Sequence, residues 1–199
     1  MKWYIVRHAD KEAGDFYNPI LGHQDQPISP KGRAEAQALS AYLADKEITK
    51  IYVSQYIRTG QTIETVAQNK KLRPIVDGRL NEIDNGAVEG LTEAEISQKF
   101  PETWRAFRER AGDFQFPGGE SGAEAQDRIG SFMREKEADR EDIVVVSHDG
   151  LIRLLMCTIM GIPVYRRWDF RVDTCGLMEI EYQAEYERWK LVRFNQKCR

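Results

Sequence analysis

Five side chains in this 199-residue chain are of the types that phosphoryl chemistry uses: Arg7, His8, Arg58, Glu82 and His148. Two arginines can hold a phosphoryl group through forked hydrogen bonds, a geometry that the point charge of lysine does not match. A histidine beside them can attack phosphorus and carry it as a phosphoenzyme. A nearby carboxylic acid can protonate the departing alkoxide and then activate water. By residue type alone that acid could be Glu82, Asp84 or Glu89, and Arg58 taken singly reads as a solvated helix residue. The same histidines and acids could be read as metal ligands, but two adjacent arginines would repel the ion, so no metal or other cofactor is expected.

The elements carrying these residues are expected to bring them together. Trp3-Tyr4-Ile5-Val6 is an unbroken apolar run that stops on Arg7-His8, and Ile143-Val144-Val145-Val146 is another that stops on Ser147-His148-Asp149-Gly150. Runs without alternation suit strands buried on both faces of a parallel sheet. Open α/β sheets bind ligands beyond the carboxyl ends of such strands. A helix expected over Gly150 to Met160 would aim its first backbone N–H groups at the same anion.

The remaining elements follow in order. Lys11 to Pro27 is a long polar loop. Ser29 and Pro30 have the N-cap and first-turn chemistry of a helix that reaches about Asp45. Lys50 to Val53 reads as a strand, Ser54 to Ala67 as a helix with Arg58 near its start, and Arg73 to Val76 as a brief strand. Asp77 to Gly90 is irregular and acidic. Thr92 with Glu95, and Ser121 with Glu124, have the spacing of capping boxes. The first opens a helical pair ending near Arg110, and the second a long helix to about Ala138. Leu177 to Tyr182 and Trp189 to Phe194 alternate and read as edge strands around a turn at Ala184-Glu185. This alternation of strand and helix predicts a three-layer α/β/α sandwich with a mostly parallel central sheet. It is expected to form one domain over residues 1–199, with a helical insertion at about 92–110.

Composition narrows the functional classes. Hydrophobic residues make up 41% and charged residues 31%, the balance of an ordinary globular protein. A formal net charge of -3 argues against general binding of nucleic acid. Three cysteines without metal-like spacing suit a reducing compartment. Met1-Lys2 leads straight into the first strand, and the apolar stretch Leu151 to Pro163 is too short to span a bilayer. A cytoplasmic protein without a membrane partner is expected. The oligomeric state stays open, with a dimer through the apolar Leu177–Tyr182 edge as one alternative.

Several blocks then point to a family. Arg7-His8-Ala9-Asp10 resembles the Arg-His-Gly signature of the histidine phosphatase superfamily, whose fold is phosphoglycerate mutase-like. Asp25 to Gly32 is similar to the segment leading into that family's first helix. Ser54 to Thr62 resembles the segment holding its second arginine, and Leu80 to Gly90 the segment holding its acid. Pro117-Gly118-Gly119-Glu120-Ser121 and Ser147 to Arg153 match two further blocks. The resemblance covers almost the whole chain, with the blocks in the family's order. It implies that His8 is the phosphoacceptor, that Arg7, Arg58 and His148 form the phosphate pocket, and that Glu82 is the proton donor. It also implies a small phosphomonoester substrate, no metal, and adjacency of the strands ending at His8 and His148. Ala9 stands where the family's signature has glycine, adding a Cβ where the backbone turns near the phosphate. Asp149 stands where glycine is common. Asn18 does not align with the mutases' loop asparagine and is left out of the catalytic set. His23, Asp149 and Gly150 are candidate substrate contacts, and Arg153, Arg166 and Trp168 could join them. Hydrolysis of a phosphomonoester is the favoured activity. Mutase-type phosphoryl transfer and a phospho-ligand binding module are the alternatives.

Overall fold

The computed structural model describes residues 1–198. Its strands are β1 (Lys2–Arg7), β2 (Tyr17–Asn18), β3 (His23–Gln24), β4 (Lys50–Val53), β5 (Ile75–Val76), β6 (Ile143–Ser147), β7 (Gly176–Gln183) and β8 (Arg188–Lys197). Its α-helices are α1 (Pro30–Leu43), α2 (Ile57–Lys70), α3 (Glu93–Lys99), α4 (Pro101–Glu109), α5 (Gly122–Glu137) and α6 (Asp149–Met160). All strands but β2 and β3 join one six-stranded sheet in the order β5-β4-β6-β1-β7-β8. β5, β4, β6 and β1 run parallel, and β7 and β8 complete the sheet antiparallel. In the β1–β6 register Trp3 lies opposite Ile143 and Arg7 opposite Ser147, so both strands deliver their histidines to the same end.

Alternate side chains of each central strand enter opposite cores, as the period of two requires. Trp3, Ile5, Tyr52, Ile143 and Val145 pack with Ile129, Phe132 and Met133 of α5 and Leu151 and Leu155 of α6. Tyr4, Val6, Ile51, Val53, Val144 and Val146 pack with Leu39 and Leu43 of α1 and Ile63 and Val66 of α2. The sheet is therefore covered on both faces, which is why its inner strands lack a polar side. The α3–α4 pair has its own small cluster, where Val88, Ile96 and Phe116 are buried against Trp104, Phe107 and Phe114.

The helix starts follow local chemistry. Ser29 Oγ accepts from Gly32 N, with Pro30 in the first turn. Thr92 with Glu95 and Ser121 with Glu124 both close reciprocal capping boxes. Helix α2 begins at Ile57, later than the sequence suggested, because Ser54 is drawn into the core and Asp25 Oδ1 accepts from Ile57 N at 2.8 Å instead. A Cβ on Gly32 would lie 2.1 Å from the Asp10 carbonyl oxygen, so glycine lets α1 start directly against the chain leaving β1.

Three expectations change. The Lys11–Pro27 loop contains the β2–β3 hairpin, with Tyr17 opposite Gln24 and Asn18 opposite His23. The third sheet strand shrinks to Ile75–Val76. The Leu177–Tyr182 segment is not an edge: β7 is hydrogen-bonded to β1 on one side and β8 on the other, leaving no free ladder for a second chain. Its alternation reflects an antiparallel position, and the sheet's edges are β5 and β8. Among the described residues, no helix is long and apolar enough to cross a membrane.

Candidate active site

The centre of the site is His8, at the carboxyl end of β1. Its backbone N–H continues the ladder to the Ser147 carbonyl at 2.9 Å. Its ring is buried, with Nδ1 2.8 Å from the Ala9 carbonyl oxygen. A carbonyl can only accept, so Nδ1 carries the hydrogen and Nε2 keeps the lone pair. Burial, then the Arg58 charge, lower the His8 pKa to about 3, so the ring is neutral at pH 7. Ala9 is buried in the α1–α2 core, its N–H bonded to Thr62 Oγ1 at 2.9 Å, and it is not among the residues of positive φ. The backbone here accepts alanine without strain.

His148 follows β6 and lies completely buried, its ring centroid 5.2 Å from that of His8. Nδ1 is 3.2 Å from Arg58 Nη2, and Nε2 is 2.8 Å from Ser54 Oγ. A guanidinium only donates, so Nδ1 accepts and Nε2–H is directed to Ser54. Burial and the Arg58 charge hold His148 well below the usual histidine range. Arg58 itself lies over the Tyr56 ring at 4.2 Å and 3.9 Å from Asp25, with Nη1 donating to the Gln24 carbonyl. Arg7 donates from Nη1 to the Val172 carbonyl at 2.6 Å and approaches Asp149 at 3.9 Å. Arg7 Nε and Arg58 Nε are both buried without a hydrogen-bond partner among the described residues. Buried donors are ordinarily satisfied. Two such guanidinium groups beside a neutral imidazole form a pocket suited to an anion.

Glu82 comes just after a 3₁₀ turn at Gly78–Leu80. Its carboxylate accepts from Ile83 N at 2.9 Å and from Gly150 N and Leu151 N at 3.2 Å. Glu82 thus occupies the second and third N–H groups of α6, which the sequence reading aimed with the first at the bound anion. The cause is Gly150: a Cβ there would lie 2.7 Å from Glu82 Oε1, so glycine admits the carboxylate. Burial raises the Glu82 pKa, and the N–H groups of Ile83 and Gly150 oppose that rise. Of the three candidate acids, Glu82 is the one joined to the His148 turn. Asp84 closes its own turn on Gly86 N, and Glu89 is exposed.

The backbone carrying Glu82 is held by Arg128 of α5. Its guanidinium donates to the carbonyls of Arg79, Asn81 and Glu82 and forms a forked pair with Glu120 at 2.8 and 2.7 Å. Glu120 also accepts from Asp84 N.

The structure therefore brings Arg7, His8, Arg58, Glu82 and His148 together. His23 sits farther out, 3.8 Å from Asp84 and lining a cavity of about 330 Å³ beside Glu82. Asp149 is committed to Arg153 by bonds of 2.7 and 2.9 Å. Ser54, Asp25, Tyr56 and Arg128 were not found by sequence reasoning. Ser54 offered one signal, since it ends strand β4 as His148 follows β6; the others depend on tertiary contacts.

Comparison with known proteins finds relatives that span nearly the whole chain. A family model described as the histidine phosphatase superfamily (branch 1) matches residues 3–197. The chain is 31% identical over 203 residues to a protein of Hydrogenobacter thermophilus named phosphoserine phosphatase 1, covering 100% of this chain and 93% of that one. It is 30% identical to a Proteus mirabilis protein named probable phosphoglycerate mutase GpmB, over 90% of this chain and 84% of the relative. The crystal structure of a putative alpha-ribazole-5'-P phosphatase from Escherichia coli superposes with a TM-score of 0.85 at 24% identity, covering 100% of this chain and 97% of that one, a likeness of fold.

Proposed function

The chain belongs to the histidine phosphatase superfamily (branch 1), and on that premise we propose that it hydrolyses a phosphomonoester through a phosphohistidine on His8. The single observation carrying this reading is the neutral His8 ring, its Nε2 lone pair free among the described residues, set against Arg7 and Arg58, each with a buried Nε that has no partner among them.

In the first step His8 Nε2 attacks phosphorus in line with the leaving oxygen. The P–N bond forms, the P–O ester bond breaks, and Glu82 gives its proton to the departing alkoxide. Burial, which raises the Glu82 pKa, favours the protonated carboxyl that this step needs, against the N–H groups of Ile83, Gly150 and Leu151, which favour the carboxylate of the second step. The arginines stabilise the charge spread over the equatorial oxygens. His148 braces Arg58 through Nδ1 and is itself fixed by Ser54. In the second step the Glu82 carboxylate takes a proton from water. The hydroxyl oxygen attacks phosphorus, the P–N bond breaks, and phosphate leaves with His8 neutral again.

Measuring phosphate release from a panel of phosphomonoesters in EDTA tests this. The expected result is turnover by the wild type and a kcat lower by about 10²–10⁴ in Glu82→Gln, with the alkaline limb of the wild-type pH profile lost. Wild-type turnover together with an unchanged profile in Glu82→Gln would remove Glu82 from the proton-donor role.

The relative named as a probable mutase supports a second reading, in which the phosphoryl group returns to a bound sugar acid. Transfer between positions of phosphoglycerate without net phosphate release would favour it.

A further inference from the structure

Resting on the phosphatase reading, we infer that the leaving group is an alcohol bearing an aromatic ring, seated in a cavity formed by the α3–α4 segment and the turn after α6. This cavity has a volume of about 230 Å³ and is lined by the rings of Phe107, Phe114, Phe116 and Trp168 and by Glu82 and Gly150. Because Glu82 protonates the leaving oxygen, the alcohol must continue from that carboxyl, and Glu82 lines the same cavity as the rings. A cavity of roughly 150 Å³ lined by apolar groups holds benzene, so this one has room for one ring and its linker.

The chemistry of the walls selects for a planar apolar group. Phe107 meets Trp168 edge to face at 5.4 Å, and Phe114 meets Phe116 in the same way at 5.4 Å. Phe107, Phe114 and Trp168 nevertheless remain partly exposed, although they belong to or border an apolar cluster that full burial would favour. The charged groups on the walls are already committed. Arg153 is forked onto Asp149, and Arg167 bonds Asp113 at 3.1 Å. Both guanidiniums also lie over Trp168, at 5.5 and 5.3 Å. Their carboxylate partners neutralise these two guanidiniums; the exposed Arg110, 4.5 Å over the same indole, lies outside the cavity lining. The neighbouring cavity shares Glu82 and Glu120, the latter forked onto Arg128, and is lined further by His23, Asp84 and Arg128. It is the alternative seat for a polar alcohol.

Two measurements test this together. The first compares kcat/KM for 2-phenylethyl phosphate, ethyl phosphate and O-phosphoserine, all alkyl esters. The second compares the affinities of 2-phenylethylphosphonate and ethylphosphonate, which cannot be hydrolysed. The phenyl compounds should lead by about tenfold or more in both measurements, the scale on which an apolar pocket discriminates. That lead should collapse to within about twofold in Trp168→Ala and, independently, in Phe107→Ala. Variants are compared only where the thermal melt stays cooperative. Equal values for phenyl and ethyl compounds in the wild type would overturn the inference, as would a preference for O-phosphoserine. A phosphonate preference without hydrolysis of any ester would keep the ring pocket and remove the phosphatase reading.

Discussion

His8 and His148 are both buried beside guanidinium groups and both held neutral, with consequences for chemistry and stability. For catalysis, a neutral His8 whose Nδ1–H is fixed on the Ala9 carbonyl presents Nε2 to phosphorus over a wide pH range. For stability, the unfolded chain binds protons at these rings near the ordinary histidine value of 6.5, while folded His8 does so only near 3. Between those values the unfolded state holds more protons, so stability falls as pH drops through that window. Glu82 acts in the opposite sense above its ordinary value of 4.5, because its raised pKa makes the folded state hold the extra proton. Denaturant melts from pH 7 to pH 4 should show progressive loss of stability, and His8→Asn should flatten the slope. A slope unchanged by that substitution would contradict the assignment of His8 as a buried neutral ring. At this scale the sequence was informative: two apolar strands ending on histidine revealed both rings. Their tautomers were not legible, since the Ala9 carbonyl, Arg58 and Ser54 that fix them are placed by the fold.

At the scale of elements, the site depends on how the Glu82 segment docks between α5 and α6. Arg128 gathers the Arg79, Asn81 and Glu82 carbonyls, and Gly150 opens the α6 N-terminus to the carboxylate. The capping boxes, the Pro30 start and the buried strands were legible because they are local patterns. The docking was not, because an arginine on a long helix reads as solvated unless the facing carbonyls are known. The same limit explains the late start of α2, whose cap comes from Asp25 in a distant hairpin. Arg128→Met removes the grip on the segment and leaves Glu120 without its forked partner. Misplacement of an acid by about an ångström can cost roughly a hundredfold, so kcat should fall by about 10- to 100-fold with little change in KM. Arg128→Lys should recover part of it. A rise in KM alone would show instead that Arg128 serves substrate binding.

Over the whole molecule, one sheet end assembles the chemistry from distant parts of the chain. β1 and β6 lie side by side, so His8 and His148 meet across a separation that sequence spacing leaves unspecified. The sandwich was legible from strand and helix alternation, whereas the place of β7 was not, since an alternating strand can sit inside an antiparallel margin as well as at an edge. This convergence makes His8 Nε2 the atom proposed to receive the phosphoryl group. The most direct measurement is rapid acid-free quenching during turnover of a labelled phosphomonoester, followed by mapping of the phosphoryl group. The expected result is an acid-labile, base-stable label on Nε2 of His8, absent from His8→Ala. A label on another residue, on Nδ1, or persisting in His8→Ala would contradict it.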